Sequence, residues 1–198
     1  MGRIVVVENV TLDGVMQAPG RADEDTRGGF RHGGWARPYA DPVMAETMGK
    51  GMAAESAMLF GRRTYELMHR SWGGLADGNP YTEVLERKRK FVASRTLAEP
   101  LPWVNSALVS GSLAALKDSV AEDLVVLGSG ELVRSLAADG LVDVFTLLIH
   151  PLTVGSGARL FTGLTADLEL IETVTTGTGV IIATYRPGSA TYRPGSVA

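Results

Sequence analysis

The apolar residues of the chain occur mainly in short, continuous runs separated by glycine, proline and charged residues. Such runs are typical of strands buried on both faces of a parallel sheet. Helix signals lie between them, for example the start signal Asp41-Pro42 and the helical spacing of Leu113, Leu116 and Val120. The predicted strands are residues 4–7, 57–60, 91–93, 106–109 and 123–127, and helices are expected at 42–54, 113–120 and after Gly61 and Gly130.

The last third of the chain has a different pattern. Residues 142–149, 168–175 and 180–185 read as strands, and Thr176-Gly177-Thr178-Gly179 joins the last two as a hairpin turn. We expect these strands to pair in an antiparallel way. Because strands and helices alternate through residue 138, the whole pattern predicts an α/β fold. Its sheet should be twisted and mainly parallel, with antiparallel C-terminal strands and helices on both faces.

The stretch 123–136 carries the clearest chemical signal. An apolar strand runs into Gly128-Ser129-Gly130 and directly into an amphipathic helix. Two glycines let backbone approach a ligand, and the start of a helix offers unpaired N–H groups with a partial positive charge. The stretch therefore predicts a site for phosphate groups. The alternative is an ordinary strand-to-helix turn in which Ser129 caps the helix.

Two other predicted strands end in similar polar signals, Gly61-Arg62 and Ser94-Arg95. The carboxyl ends of parallel strands meet at one crevice, so these residues should lie near Gly128. Arginine binds phosphate oxygens through a planar fork, and cations at a helix N-terminus are disfavoured unless an anion is present. The pattern suits a dinucleotide with an additional 2′-phosphate. The chain lacks the G-x-G-x-x-G spacing and distal acid of a Rossmann NAD site.

A long irregular stretch runs from Met16 to Tyr39 and is rich in Gly, Pro, Arg and Asp. Loops of this length inside a compact domain are usually functional. Phe30, Trp35 and Tyr39 give it enough aromatic surface to fold over a neighbouring element. We expect a lid or substrate loop, and a dimer contact is the alternative.

Composition narrows the function further. The 198 residues carry 19 Lys and Arg against 22 Asp and Glu, and a net charge of −3 gives no general attraction to nucleic acid or anionic membrane. The absence of cysteine excludes thiol chemistry. The three histidines lie far apart in sequence and lack metal-ligand spacing, so we expect no metal site. No apolar run is long enough to span a bilayer, so we expect a cytoplasmic protein.

The chain should form one domain over residues 1–186. Residues 187–198 make up a tail in which the sequence of 183–189 recurs as 190–196. Two copies of seven residues are far too short for a repeat fold, so we expect a flexible appendage.

Taken together, the motifs resemble the dihydrofolate reductase-like superfamily, in the branch shared with the reductase domain of bacterial riboflavin biosynthesis. The resemblance covers most of residues 3–186 and rests on the combination of several short motifs. These are Thr11-Leu-Asp-Gly14, Leu59-Phe-Gly-Arg-Arg-Thr-Tyr-Glu66, Val92-Ala-Ser-Arg95, Leu127-Gly-Ser-Gly-Glu-Leu132, Gly140-Leu-Val-Asp143, Ile149-His-Pro-Leu152 and Gly155-Ser-Gly157.

The resemblance implies a three-layer fold that binds NADPH. It would place Gly61, Arg62 and Thr64 along the cofactor, and Ser94 and Arg95 at its 2′-phosphate. Gly14 and Val15 would lie near the nicotinamide. The pyrophosphate would be held by Gly128, Ser129, Gly130, Glu131 and Leu132.

The family's proton-delivering carboxylate is harder to place. Counting back from the Gly-Arg-x-Thr motif favours Glu46, and Asp41 is the other candidate; the structural alternative is that Asp41 caps a helix and Glu46 is solvated. The riboflavin reductases also carry an Asp-Pro pair where Leu67-Met-His-Arg70 stands here, which weakens that substrate assignment.

The resemblance thus predicts an NADPH-dependent reductase that transfers hydride to a small heterocycle of pteridine or pyrimidine type. Three alternatives stay open: the riboflavin-pathway 5-amino-6-(5-phosphoribosylamino)uracil reductase, a noncatalytic NADP(H)-binding or interaction protein, and a scaffold that binds no nucleotide. Family resemblance also suggests a homodimer through the C-terminal strands, with Ile149, His150 and Pro151 near its twofold axis.

Overall fold

A computed structural model of the protein describes residues 2–188. It contains eight strands and five α-helices in this part of the chain. The strands are β1 (Ile4–Thr11), β2 (Ser56–Gly61), β3 (Lys90–Ala93), β4 (Ser106–Leu108), β5 (Asp123–Leu127), β6 (Val144–His150), β7 (Leu168–Thr175) and β8 (Ile181–Pro187). The helices are α1 (Pro42–Ala53), α2 (Arg62–Trp72), α3 (Pro80–Arg87), α4 (Leu113–Ser119) and α5 (Gly130–Ala138).

The strands form one sheet in the order β4-β3-β2-β5-β1-β6-β8-β7. All pairs from β4 to β6 are parallel, and β8 is antiparallel to both of its neighbours, β6 and β7. The expected α/β class is therefore confirmed, with one refinement. We expected β6 to begin the antiparallel part, but it pairs in parallel with β1, because the connection through α5 returns the chain to the starting end of the sheet.

Helices cover both faces of the sheet. Along β1 the side chains alternate, so that Ile4, Val6 and Val10 join the core cluster formed with α4 and α5. We call this the α5 face. On the opposite face α2 and α3 pack over β2 and β3, and α1 packs through Met44 and Met48 over β6 and β8; we call it the α1 face.

Local signals explain where several elements begin. The Asp41 carboxylate accepts hydrogen bonds from the backbone N–H groups of Val43 and Met44, and Pro42 takes the first helical position, as expected for α1. The hairpin turn at 176–179 is also present, with Gly179 at φ +83°. The first strand is longer than the β-branched run predicted, since it continues through Glu8 and Asn9 to Thr11.

Besides β4, the sheet has one other edge strand, β7. Its side chains Leu170 and Ile171 are 53% and 55% exposed, while Leu148 and His150 of β6 are buried inside the protomer. Since β8 and β7 lie outside β6, an edge-to-edge dimer would use β7, and the expected placement of His150 near a dimer axis stays a prediction.

Two further expectations concern the C-terminal tail and membrane-spanning helices. The second copy of the tail repeat lies outside the described residues. Within residues 2–188, none of the helices has the length and apolar character that crossing a membrane requires.

Candidate functional site

A deep cleft opens at the carboxyl ends of the parallel strands, where β1 and β5 separate. Their ladder ends at the pair Val7–Leu127, whereas the ladder between β1 and β6 continues to Thr11–His150. The chain order reverses at this point, since β5 lies between β1 and β2, and ligands of open α/β sheets bind at such positions. The cleft has a volume of about 1620 Å³. This exceeds the roughly 300–1,000 Å³ typical of a pocket for one small ligand.

Two helix N-termini meet at one half of the cleft. The N-cap positions of α2 and α5 are Gly61 and Ser129, and no side chain caps either helix in the described structure. Ser129 has a left-handed backbone (φ 63°, ψ 40°), and its hydroxyl accepts from the Gly61 N–H at 3.0 Å. The alternative of a serine-capped turn is therefore wrong: the hydroxyl joins the two helix starts and leaves the α5 N–H groups open.

The three glycines in this half of the cleft differ in whether the fold itself requires glycine there. A Cβ at Gly130 would lie 2.4 Å from the Met16 sulfur, and Gly128 has a left-handed φ of +59°, so the protein itself gives a reason for glycine at both positions. Gly61 is different, because its φ of −75° and ψ of 156° suit any residue. A Cβ there would make ordinary contacts of 3.6 Å and longer. The fold does not require glycine at this position, which fits close approach of a ligand.

The predicted phosphate-binding side chains surround the same half of the cleft. Arg62 bonds Glu66 at 3.1 Å, and Arg63 bonds Glu131 at 3.1 Å across the two helix starts. Arg95 is exposed and has no ion-pair partner among the described residues. All of these line the cleft, as do Thr64, Ser94, Gly128, Gly130 and Leu132.

Two of the predicted contacts are restricted by the structure. The Ser94 hydroxyl accepts from the N–H groups of Thr96 and Leu97 at 3.1 and 3.0 Å, so it fixes the loop that carries Arg95. The side chain of Leu132 lies in the core. Only its backbone N–H is therefore available to a ligand.

The long loop is ordered and forms one wall of the cleft. Gln17 is buried, donates to the carbonyl oxygens of Asp25 and Arg27, and accepts from the Ala158 N–H at 2.9 Å. The Trp35 indole donates to the Gln17 carbonyl at 2.7 Å. The part of the loop that faces the cleft comprises residues 16–21 and 23–27, which supports the predicted substrate-loop role.

The Thr11-Leu-Asp-Gly14 motif anchors this loop without lining the cleft. Hydrogen bonds to Asp13 from the Thr11 hydroxyl, and also from the N–H groups of Gly155 and Val154, lower the pKa of this carboxyl to about 2. Gly14 adopts φ +76° in the turn, and Val15 is fully buried against the loop. The structure thus places neither Gly14 nor Val15 on the cleft wall, and Met16 is the first residue of the segment to reach it.

The other half of the cleft lies between α1 and the sheet. Its walls are mostly apolar and include Val7, Met48 and Leu148. Polar groups on this side include the hydroxyls and amide of Asn9, Thr47, Thr146 and Thr184, and the carboxylate of Glu172, which pairs with Thr184 between β7 and β8. A small, flat molecule with polar edges fits such a lining.

The side chain of Asn9 is hydrogen-bonded to His150. The His150 Nε2 lies 2.9 Å from the Asn9 Oδ1, and the ring is fully buried with Trp35 and Tyr39 at centroid distances of 5.1 and 5.4 Å. Burial lowers the pKa of His150 to about 4. The ring is therefore neutral at neutral pH, and with its proton on Nε2 it donates to the Asn9 oxygen and leaves the Asn9 NH₂ group without this partner.

The two carboxylates expected to deliver a proton lie elsewhere. The Asp41 side chain is used by the α1 cap, and Glu46 is 68% exposed in an ion pair with Lys50 at 2.7 Å. Neither lines the cleft, so neither is placed to deliver a proton inside it. The described residues contain no cluster of three potential metal ligands.

The structure also adds residues that the motifs did not single out. Glu8 and Asn9 line the cleft because β1 extends past its apolar run. A polar pair that interrupts a β-branched strand is the signal that could have identified them.

Sequence comparison supports one relationship across the whole domain. Residues 3–182 match the family described as the RibD C-terminal domain. An uncharacterized protein of Bacillus subtilis strain 168, YyaP, is 29% identical over 196 residues, which is 92% of this chain and 94% of that protein.

Solved structures share the fold. A protein of Shewanella sp. PV-4, provisionally named for riboflavin biosynthesis, superposes with a TM-score of 0.71 at 21% identity and covers 95% of this chain and 99% of its own. Dihydrofolate reductase of Enterococcus faecalis, solved with NADP(H), gives a TM-score of 0.61 at 15% identity, with 95% and 98% coverage. The dihydrofolate reductase-like fold expected from the motifs is confirmed.

The buried His150 generates a prediction on stability. Its pKa is about 4 in the folded protein and about 6.5 when unfolded. The unfolded state therefore takes up a proton first as pH falls, and stability is lost between about pH 6.5 and pH 4. The full effect is about 3 kcal/mol. Denaturant titrations of the wild type and His150→Gln, whose amide can still donate to Asn9, should show a steeper loss for the wild type. Parallel pH curves would contradict this account.

Proposed function

The chain belongs to the RibD C-terminal domain family, and on that premise we propose that it is an NADPH-dependent reductase of a small heterocyclic substrate. The observation that carries the proposal is the meeting of two uncapped helix N-termini with the arginines of two strand ends at the point where the sheet opens. This arrangement favours a ligand with several phosphates.

The residues present fit this cofactor. The open N–H groups of α2 and α5, including those of Gly130 and Leu132, would bind the pyrophosphate, and the bare backbone at Gly61 allows it to approach. Arg95 and Arg62 would bind the 2′-phosphate. The nicotinamide end would then extend along the loop wall at Met16 toward β1. When bound, NADPH supplies the hydride, and the protein supplies position, charge and exclusion of water.

The half of the cleft beneath α1 would hold the substrate. We assign the Asn9 amide to a carbonyl or ring nitrogen of that molecule, because the Asn9 oxygen is engaged by His150 and the NH₂ group is left to donate. Hydroxyls of Thr47 and Thr146 add adaptable hydrogen bonds. This chemistry suits a pteridine- or pyrimidine-like ring. The phosphoribosylated uracil of riboflavin synthesis is the alternative substrate.

We also propose that the protein forms a homodimer through its free β7 edge. An unpaired strand edge that exposes apolar side chains invites association, and Leu170 and Ile171 are both more than half exposed. Two copies of β7 related by a twofold axis would form a closed contact.

The first prediction of this proposal concerns the 2′-phosphate. NADPH should bind more tightly than NADH, and Arg95→Ala should remove much of the difference. A charged contact of roughly 1.5–3 kcal/mol corresponds to about 10- to 150-fold in affinity. Titrations followed by nicotinamide fluorescence measure both dissociation constants. Arg186→Ala, which removes an exposed arginine of β8 paired with Glu169, is the matched control.

Equal affinities for the two cofactors in the wild type would overturn the 2′-phosphate assignment. If neither NADPH nor NADH binds, the alternative of a scaffold that binds no nucleotide would be favoured. Tight NADPH binding with no NADPH oxidation, across a panel of pteridines and pyrimidines that includes the phosphoribosylated uracil, would favour the noncatalytic NADP(H)-binding alternative.

A second prediction concerns Gly61, a glycine of the proposed phosphate site whose backbone conformation suits other residues. Gly61→Ala should leave the free energy of unfolding within about 1 kcal/mol of the wild type, because its conformation suits alanine. NADPH affinity should fall by about tenfold or more, since the methyl group takes up ligand space. Gly49→Ala in α1, which has open space around it, is the control for stability and binding. Normal binding by Gly61→Ala would contradict the placement of the pyrophosphate.

A third prediction tests assembly. Ile171→Lys puts a charge on the β7 edge and should convert a dimer into a folded monomer. Leu12→Lys, at another exposed leucine, should leave the dimer intact. Light scattering at micromolar concentration gives the mass directly. A monomeric mass for the unmodified chain would refute the dimer.

A further inference from the structure

Glu8 occupies the first position of β1 beyond its last pair with β5. Val7 pairs with Leu127, and β5 then ends while β1 continues, so Glu8 stands at the opening of the sheet. By strand alternation its side chain belongs to the α5 face, in line with Val6 and Val10 of the apolar core. It nevertheless lines the cleft, together with Met16, Gln17 and Gly128.

The carboxyl group of Glu8 has no structural partner. The residue is only 3% exposed, and its Oε1 is buried without a hydrogen bond among the described residues. Burial raises the pKa of Glu8 well above its ordinary value of 4.5. A buried carboxyl in apolar surroundings is costly and takes the neutral form. Its retention at the opening of the cleft is not explained by stability.

Neighbouring charged groups do not neutralise it. The elements that pack around this end of β1 are α2, α5 and the long loop. Several of their charged residues are paired with one another, namely Arg62 with Glu66, Arg63 with Glu131, and Arg27 with Asp25, and none of the described hydrogen bonds or ion pairs includes Glu8. Arg134 of α5 donates to the carbonyl of Arg159, and burial is the one cause that raises the pKa of Glu8.

We propose that Glu8 is the catalytic acid of the cleft, which holds a proton beside the nicotinamide ring and gives it to the substrate. The inference rests on the proposed function, because the ring is the reacting end of NADPH. Glu8 lines the cleft next in sequence to Asn9, and because β5 no longer pairs with β1 beyond Val7, the gap in the sheet connects the Glu8 side to the half beneath α1. It is the carboxyl in the described cleft lining that is both buried and without a partner.

The step balances in electrons and protons. NADPH, when bound, would supply a hydride to the carbon of a substrate C=N or C=O group, and the electron pair of the broken π bond would pass to the nitrogen or oxygen. That atom takes the proton from the Glu8 carboxyl as the O–H bond breaks. The Glu8 carboxylate then lies beside the oxidised, positively charged ring and regains a proton from water through the cleft.

This placement predicts that the two redox forms of the cofactor are linked differently to protons. The positive ring of NADP⁺ favours ionised Glu8, so NADP⁺ binding should release up to about one proton. Its affinity should then rise about tenfold for each unit by which pH rises, in the range where Glu8 titrates. NADPH has a neutral ring and should release fewer protons. Calorimetric titrations in buffers of different ionisation enthalpy, from about pH 5 to about pH 9, measure this release. The phosphates are common to both forms and cancel in the comparison.

Glu8→Gln assigns the effect. The variant should bind NADPH as the wild type does and lose the difference in proton release between NADP⁺ and NADPH. It should also be at least as stable as the wild type above neutral pH, because the neutral amide does not ionise on unfolding. The infrared band of a protonated carboxylic acid should be present in the wild type at neutral pH and absent in the variant.

The outcomes separate the two levels of the account. Equal proton release for NADP⁺ and NADPH in the wild type, or an unchanged difference in Glu8→Gln, would overturn the role of Glu8 while NADPH binding stands. Absence of binding by both forms would overturn the proposed function, and the role of Glu8 with it. Strong destabilisation of Glu8→Gln at every pH would show that the carboxyl has a structural partner instead.

Discussion

The early end of the ladder between β1 and β5 is the constraint on which the rest of the site depends. Beyond Val7 and Leu127 the two strands no longer pair, so the middle of a buried sheet opens toward its carboxyl edge. Backbone groups that would otherwise pair across the sheet must find other partners. The turn after β5 meets this need in an unusual way, because Ser129 takes a left-handed conformation and binds the Gly61 N–H of the neighbouring junction. The helix starts on both sides remain open.

The polar groups at the opening between β1 and β5 lower the stability of the folded protein. Asn9 is oriented by a histidine that burial keeps neutral, and Glu8 lies in an apolar environment with no partner among the described residues. A packed apolar residue at either position would make a more stable sheet. The loop wall, by contrast, is firmly held: the Gln17 side chain bonds the backbone at Asp25 and Arg27 and again at Ala158, and Asp13 joins the end of β1 to the loop before β7. A rigid wall facing a few unsatisfied groups is the arrangement expected of a binding site.

Much of the fold could be predicted from the sequence, because each strand and helix carries a local signal. The β-branched run at 4–7, the Asp41-Pro42 helix start and the glycine hairpin at 176–179 all formed as expected. The parallel pairing of β6 could not be read locally, because direction depends on where α5 returns the chain. The convergence of Gly61, Arg95 and Gly128 was predictable from the rule on strand ends. The surroundings of the carboxylates could not be predicted: spacing favours Glu46, and only the packing shows that Glu46 faces solvent while Glu8 is enclosed.

The central claim is that one cleft at the β1–β5 opening holds both the phosphates and the reacting end of NADPH. The most direct test is a crystal structure of the protein with NADP⁺ bound. The account predicts the pyrophosphate at the N–H groups of α2 and α5, the 2′-phosphate at Arg95, and the nicotinamide ring beside Glu8 beneath the Met16 wall. A cofactor bound outside this cleft, or bound in it with the ring remote from β1, would contradict the account.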